Sequence, residues 1–351
     1  MAPFMSDHYM ALRLAEKRVW DFWFARDGAD YHVFYLQAPQ ELAGRETRHW
    51  HVSIGHAVSQ DLSTWEALPD ALAPSQTSGD WDDYTTWTGS IFKHEKTWYL
   101  YYTGTNHAEK GLVQRIGLAT SSDLLHWEKY PQNPLVTTDA RWYELLDLNL
   151  WHDQAWRDPW VFQEPETGLF HMFLTARANA GPSDERGIIG HAQSTDLIHW
   201  NVLPPITSPG DFGYLEVPQL VHIDKFYYLL FSAPARFHSD RHYERTGLRP
   251  VTGTHYLIAD HPLGPFRFCT YNFLVGEPTG LFYSGKLIQA PDGDWKFMAC
   301  YQFAPDGSFI GELTDPMTVS IAETGELTVD WQSHQLTIPQ IIAELAAIQP
   351  V

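Results

Sequence analysis

Three short stretches of this chain set a carboxylate among apolar or aromatic neighbours: Trp20-Asp21-Phe22-Trp23-Phe24, Trp156-Arg157-Asp158-Pro159 and Leu215-Glu216-Val217-Pro218. A carboxylate in such company is costly to bury unless it is paired or used. Three of them among aromatics suit cleavage of a glycosidic bond. One carboxylate then attacks, one gives and takes a proton, and one grips sugar hydroxyls beside the reacting carbon. The proton donor needs a raised pKa, and Glu216, flanked by Leu215 and Val217, is expected to be raised by desolvation. Asp158, next to Arg157, is expected to stay ionised and so to bind hydroxyls. Asp21 is left as the nucleophile. Taken singly, each has an ordinary alternative, a structural ion pair at a strand start.

What brings three distant carboxylates together is an internal repeat. Ser-x-Asp-Leu-x-x-Trp occurs at Ser59 to Trp65, at Ser121 to Trp127 and at Ser194 to Trp200, each after a strand-like run (SIGHAVS, RIGLATS, IIGHAQS). A degenerate copy surrounds Asp260. Aromatic runs precede the copies: YHVFYLQAP, WYLYYTGT, LFHMFLTAR and FYYLLFSAP, with a fifth, WKFMACYQF, from Trp295. Each unit of roughly 55–75 residues reads as a small antiparallel sheet, and five such sheets around an axis make a β-propeller. The fold expected is therefore all-β: a single five-bladed propeller over 1–351, with short terminal helices at about 7–18 and 338–350. The innermost strands are Trp20 to Phe24, Thr86 to Ile91, Trp156 to Pro159, Leu215 to Leu220 and Leu281 to Lys286, and their ends should line one pocket. The repeated aspartates, Asp61, Asp123 and Asp196, are expected to cap their own turns rather than to react. His126 and His199 share those turns. His49, His51 and His56 are weaker candidates for the pocket border, and Asp80, Asp82 and Asp83 read as a solvated loop.

Bulk properties narrow the partner. The 351 residues carry a formal charge of −20, which disfavours nucleic acid and anionic membrane surfaces. Aromatics make up 15%, a weight shared by sugar binders and β-cores. A neutral carbohydrate fits best. Two cysteines, Cys269 and Cys300, make no disulfide framework, and no Cys/His spacing argues for a metal or other cofactor. No apolar run suggests a signal peptide or membrane span, so a cytoplasmic setting is expected.

Over residues of about 19–305 the chain resembles glycoside hydrolase family 32, the fructan- and sucrose-processing hydrolases, and its five-bladed relatives. The resemblance runs in order through Asp21 with Phe34-Tyr35, then Gly55-His56-Ala57-Val58-Ser59 with Asp61-Leu62 and Trp65. It continues through Trp87-Thr88-Gly89-Ser90, Arg157-Asp158-Pro159 and Glu216-Val217-Pro218. It implies a retaining hydrolase of β-fructofuranosides (sucrose, fructo-oligosaccharides, inulin or levan), with transfer to another sugar as a side reaction. Asp21 would be nucleophile, Asp158 transition-state stabiliser and Glu216 acid/base. Substrate contacts are expected from Trp23, Gln37, Trp50, Trp87, Thr88, Arg157 and Tyr283. The chain departs from the family pattern where Trp20 and Phe22 replace the asparagine and proline around the nucleophile, where Val217 replaces a cysteine, and at Gln37, one position from the usual glutamine. Too few residues follow the fifth unit for the family's C-terminal β-sandwich. Alternatives left open are a five-bladed hydrolase of arabinofuranosides or another sugar, and a propeller that binds sugar without cleaving it.

Overall fold

A computed structural model describes residues 10–42, 45–304 and 306–332. Five antiparallel sheets follow one another along the chain. Blade 1 contains strands Lys17–Asp27, Asp30–Pro39, Ser53–Ser59 and Glu66–Leu72. Blade 2 runs from Thr85–His94 to Glu128–Lys129, blade 3 from Trp156–Gln163 to Trp200–Leu203, and blade 4 from Glu216–Ile223 to Val275–Glu277. Blade 5 begins with Phe282–Gln289 and Trp295–Phe303. The first strands of successive sheets pack against each other and close a ring, with Phe282–Gln289 returning to Lys17–Asp27. This is the five-bladed propeller that the repeat implies.

Closure is made by the chain's beginning. Strand Met10–Leu12 pairs antiparallel with Phe309–Thr314 and so joins the fifth sheet. The helix expected at 7–18 is thereby corrected: its described part is this strand, a bend, and the start of the first inner strand at Lys17. Its helical periodicity is outweighed by the open sheet edge on Phe309–Thr314, whose backbone groups need partners. The helix expected at 338–350 lies outside the described residues.

The second strand of each blade is the most apolar. In blade 1 every residue from Tyr31 to Ala38 is buried. A strand covered on both faces by neighbouring sheets needs apolar residues at consecutive positions rather than at alternate ones. The repeated turns lie between the third and fourth strands of blades 1, 2 and 3. Ser59 Oγ accepts from the amides of Asp61 and Leu62 at 3.1 and 2.9 Å, and Asp61 Oδ1 accepts from Ser63 and Thr64 at 2.8 and 2.7 Å. Trp65 Nε1 then closes the turn on the Leu62 carbonyl at 3.0 Å. Asp123 and Asp196 make the same amide bonds in blades 2 and 3. Leu62, Leu124 and Leu197 all sit at positive φ (65°, 64° and 67°), and all are buried. Non-glycine residues seldom occupy that region. Here burial of the leucine and two polar caps hold it.

Candidate active site

Every inner strand carries one irregularity at the same place. The register with the second strand slips by one residue between Trp20 and Phe22, Trp87 and Gly89, Arg157 and Trp160, Glu216 and Gln219, and Tyr283 and Lys286. These are β-bulges, which re-aim side chains and are frequent near active sites. Three of them place a non-glycine residue at positive φ: Asp158 (57°), Val217 (49°) and Ser284 (55°). At the second bulge the chains approach so closely that a side chain on Gly89 would meet the Tyr101 carbonyl at 2.1 Å.

The bulges build two tiers at the axis. Trp20, Trp87, Arg157, Glu216 and Tyr283 precede the bulges, whereas Asp21, Thr88, Asp158, Val217 and Ser284 occupy them. In the first tier, Arg157 Nη2 donates to Glu216 Oε1 at 2.6 Å, and the Tyr283 hydroxyl donates to Glu216 Oε2. In the second tier, the Thr88 hydroxyl lies 3.4 Å from Asp21 Oδ2, and the Ser284 hydroxyl donates to Asp21 Oδ1. Asp158 Oδ2 accepts from the Thr175 hydroxyl at 2.8 Å and from the Val217 amide at 3.1 Å.

Above the tiers opens a cleft of about 810 Å³. Eight of the ten residues expected at the site line it: Asp21, Trp50, Trp87, Thr88, Arg157, Asp158, Glu216 and Tyr283. Trp50 and Trp87 form part of an aromatic wall with ring centres 5.7 Å apart. Two residues expected to touch substrate do not reach the cleft. Trp23 is buried in the core, stacked on Phe34 at 6.3 Å, because the bulge at Asp21 breaks the alternation that would have aimed it with Asp21. Gln37 sits one strand out from the axis and donates to Ser53 Oγ at 3.2 Å. Of the histidines, His49 lines the cleft, His51 is exposed, and His56 is buried against Phe34 and His32.

The electrostatics also differ from expectation. Burial lifts the Asp21 carboxyl to about 6. The nearby charges of Asp158 and Glu216 lift it further, while the Ser284 hydroxyl and Lys286 oppose the rise. Burial also pushes Asp158 up, with Arg157 acting against it. The sequence assigned Arg157 wholly to Asp158. In the folded chain its Nε is 3.6 Å from Asp158, while its nearest contact is with Glu216. Leu215 and Val217 are buried as expected, but the Glu216 side chain opens into the cleft and is 20% exposed.

Two close neighbours of the carboxylates lie outside the residues expected at the site. Ser284 lies in the fifth inner strand at the bulge position equivalent to Asp158, and that alignment was the available signal. Lys286 is 2% exposed, and its Nζ donates to the Val217 carbonyl at 2.6 Å. Burial pulls it down to about 8, against the pull of Asp21 and Asp158. A lysine in an apolar run carries no sequence signal of the charges it will meet.

Comparison with known proteins agrees with this architecture. An inulosucrase from Halalkalicoccus jeotgali, solved with kestose bound, superposes with a TM-score of 0.73 at 20% identity over 93% of both chains. An insoluble-isoenzyme β-fructofuranosidase of Arabidopsis thaliana is 33% identical over 48% of this chain and 26% of its own length. A probable sucrose-6-phosphate hydrolase of Psychromonas ingrahamii is 26% identical over 79% of this chain and 46% of its own. The chain thus matches between about a quarter and a half of the length of these curated relatives. The profile of the glycosyl hydrolases family 32 N-terminal domain matches residues 24–255, beginning just after Asp21 and spanning the Asp158 and Glu216 bulges, and the chain belongs to that family.

Proposed function

We propose that the chain hydrolyses β-fructofuranosides by double displacement. Asp21 attacks the anomeric carbon while Glu216 gives its proton to the departing glycosidic oxygen, and a fructosyl ester on Asp21 results. Glu216, now ionised, takes a proton from water, whose oxygen attacks the same carbon and releases fructose and Asp21. Asp158 grips ring hydroxyls, and Thr88 and Ser284 orient the Asp21 carboxylate through their hydroxyls. The observation that carries this reading is the convergence of three carboxylates from three separate bulged strands on one cleft floor. The names of the family relatives support fructosides as the substrate class. Sucrose, kestose, inulin and levan are the substrates to screen for released fructose, with the anomer first formed read by NMR. Cleavage of none of them, or inversion at the anomeric carbon, overturns the proposal. Trp20 stands where the family pattern has asparagine, so a different furanoside is the second reading, and arabinan oligosaccharides in the same screen test it.

A further inference from the structure

The cleft holds a fourth carboxylate, Asp153, on the connection leading into the inner strand of blade 3. Its Oδ1 accepts from the Tyr214 hydroxyl. Its Oδ2 accepts from Gln114 Nε2 at 2.9 Å and from Arg157 Nη1 at 3.3 Å. Gln114 Oε1 also accepts from Arg157 Nη1, at 3.2 Å. The Tyr214 ring lies 4.4 Å from the guanidinium carbon. Arg157 is thus held along one edge by Asp153 and Gln114 and against a ring, while its Nη2 reaches Glu216 at 2.6 Å.

Resting on the hydrolase reading above, we propose that Asp153 is a positioning residue. It fixes the Arg157 guanidinium and shares its charge, so that Glu216 can carry a proton to the leaving group. An arginine bound to Glu216 alone would favour the carboxylate and make it a poor acid. With Asp153 in place, protonating Glu216 leaves Arg157 paired, and the cation is not stranded in a buried site. Other titratable and charged groups also face this pair, and of these Tyr214 and His152 feel Asp153 directly. Tyr283 donates to Glu216 from blade 5, and Asp158 and Asp21 bear on it from beneath. Lys286 is held on the Val217 carbonyl. His152 Nε2 lies 3.4 Å from the Tyr214 hydroxyl, and Arg177 is paired with Glu144 at 2.8 Å.

The test follows the Glu216 carboxyl directly, by carbon-13 NMR titration of labelled glutamate, with the signal assigned by its loss in Glu216→Gln. In Asp153→Asn the Glu216 midpoint should fall by roughly 0.5–1 pH unit. The alkaline limb of kcat/KM on sucrose should move the same way, kcat should drop about tenfold, and KM should change little. Asp153→Glu should restore the midpoint. Asp153→Ser replaces the Asn variant if the latter does not fold. An unmoved midpoint, with kcat lowered equally at every pH, overturns the proposal and leaves Asp153 a structural residue. Because the titration needs no turnover, it stays decisive if the wild-type chain cleaves no fructoside, an outcome that sinks the hydrolase reading instead.

Discussion

Two sets of carboxylates in this molecule obey opposite physics. Asp61, Asp123 and Asp196 sit in the outer turns, where backbone amides aim at them and water surrounds them. These hydrogen bonds hold all three below the usual carboxylate range. Asp21 and Asp158 sit at the axis, where burial dominates and pushes both up. An ionised carboxylate stabilises the fold in the first place and is a standing cost in the second. The outer aspartates build the blades, and the inner ones are carried by them.

That contrast can be broken experimentally. Asp21→Asn or Glu216→Gln should lower kcat/KM for fructoside hydrolysis by about 10³-fold or more, whereas Asp196→Asn should leave it within a few-fold. In the wild type, kcat/KM should rise with pH as Asp21 ionises, with a half-point near 6. A flat acid limb, or an outer aspartate as costly as an inner one, would erase the distinction.

Packing behind the outer turn comes next in size. Leu197→Ala removes a side chain that is fully buried. It should cost about 2–4 kcal/mol in denaturant unfolding while KM stays constant.

The two sets should then titrate in opposite senses. Asp21 has a folded pKa above its unfolded one, so its favourable contribution is complete below about pH 4 and is lost as pH rises through about 6. Asp21→Asn should therefore be more stable than wild type at pH 7, by about 1–3 kcal/mol, with the gain fading toward pH 4. A variant less stable than wild type at neutral pH would contradict the buried-charge account.

The smallest effect belongs to Asp196→Asn. Its depressed folded pKa gives stability above the unfolded value that is lost as pH falls. The variant should cost about 0.5–1.5 kcal/mol at pH 7 and nothing in strong acid, measured by thermal unfolding at both.

Much of this was legible beforehand, and the misses have physical reasons. The repeated turn is a local motif, made by side chains bonding amides two or three residues away, so its copies together with the aromatic runs that precede them carry the blade count. Trp23 and Gln37, expected from the resemblance, do not reach the cleft, because a bulge at Asp21 breaks strand alternation and Gln37 lies on the second strand. The helix expected near the N-terminus fails because a distant sheet edge, on Phe309–Thr314, decides what Met10–Leu12 becomes. Ser284 and Lys286 went unseen because their partners lie more than two hundred residues away, or on another blade.

The sequence by itself determined the all-β ring, its five units, and which carboxylates lie on inner strands, because these rest on short-range periodicity and composition. Only the tertiary structure decided which charge meets which. Arg157 is adjacent to Asp158 in the chain, yet its closest contacts are with Glu216, from the next blade. Burial raises Asp21 among Trp20 and Phe22 together with the charges of Asp158 and Glu216, since desolvation depends on what closes over a side chain and not only on which residues flank it. A bulge at each inner strand turned five ordinary strands into two tiers of functional groups, and no local propensity announces where five separate strands will converge.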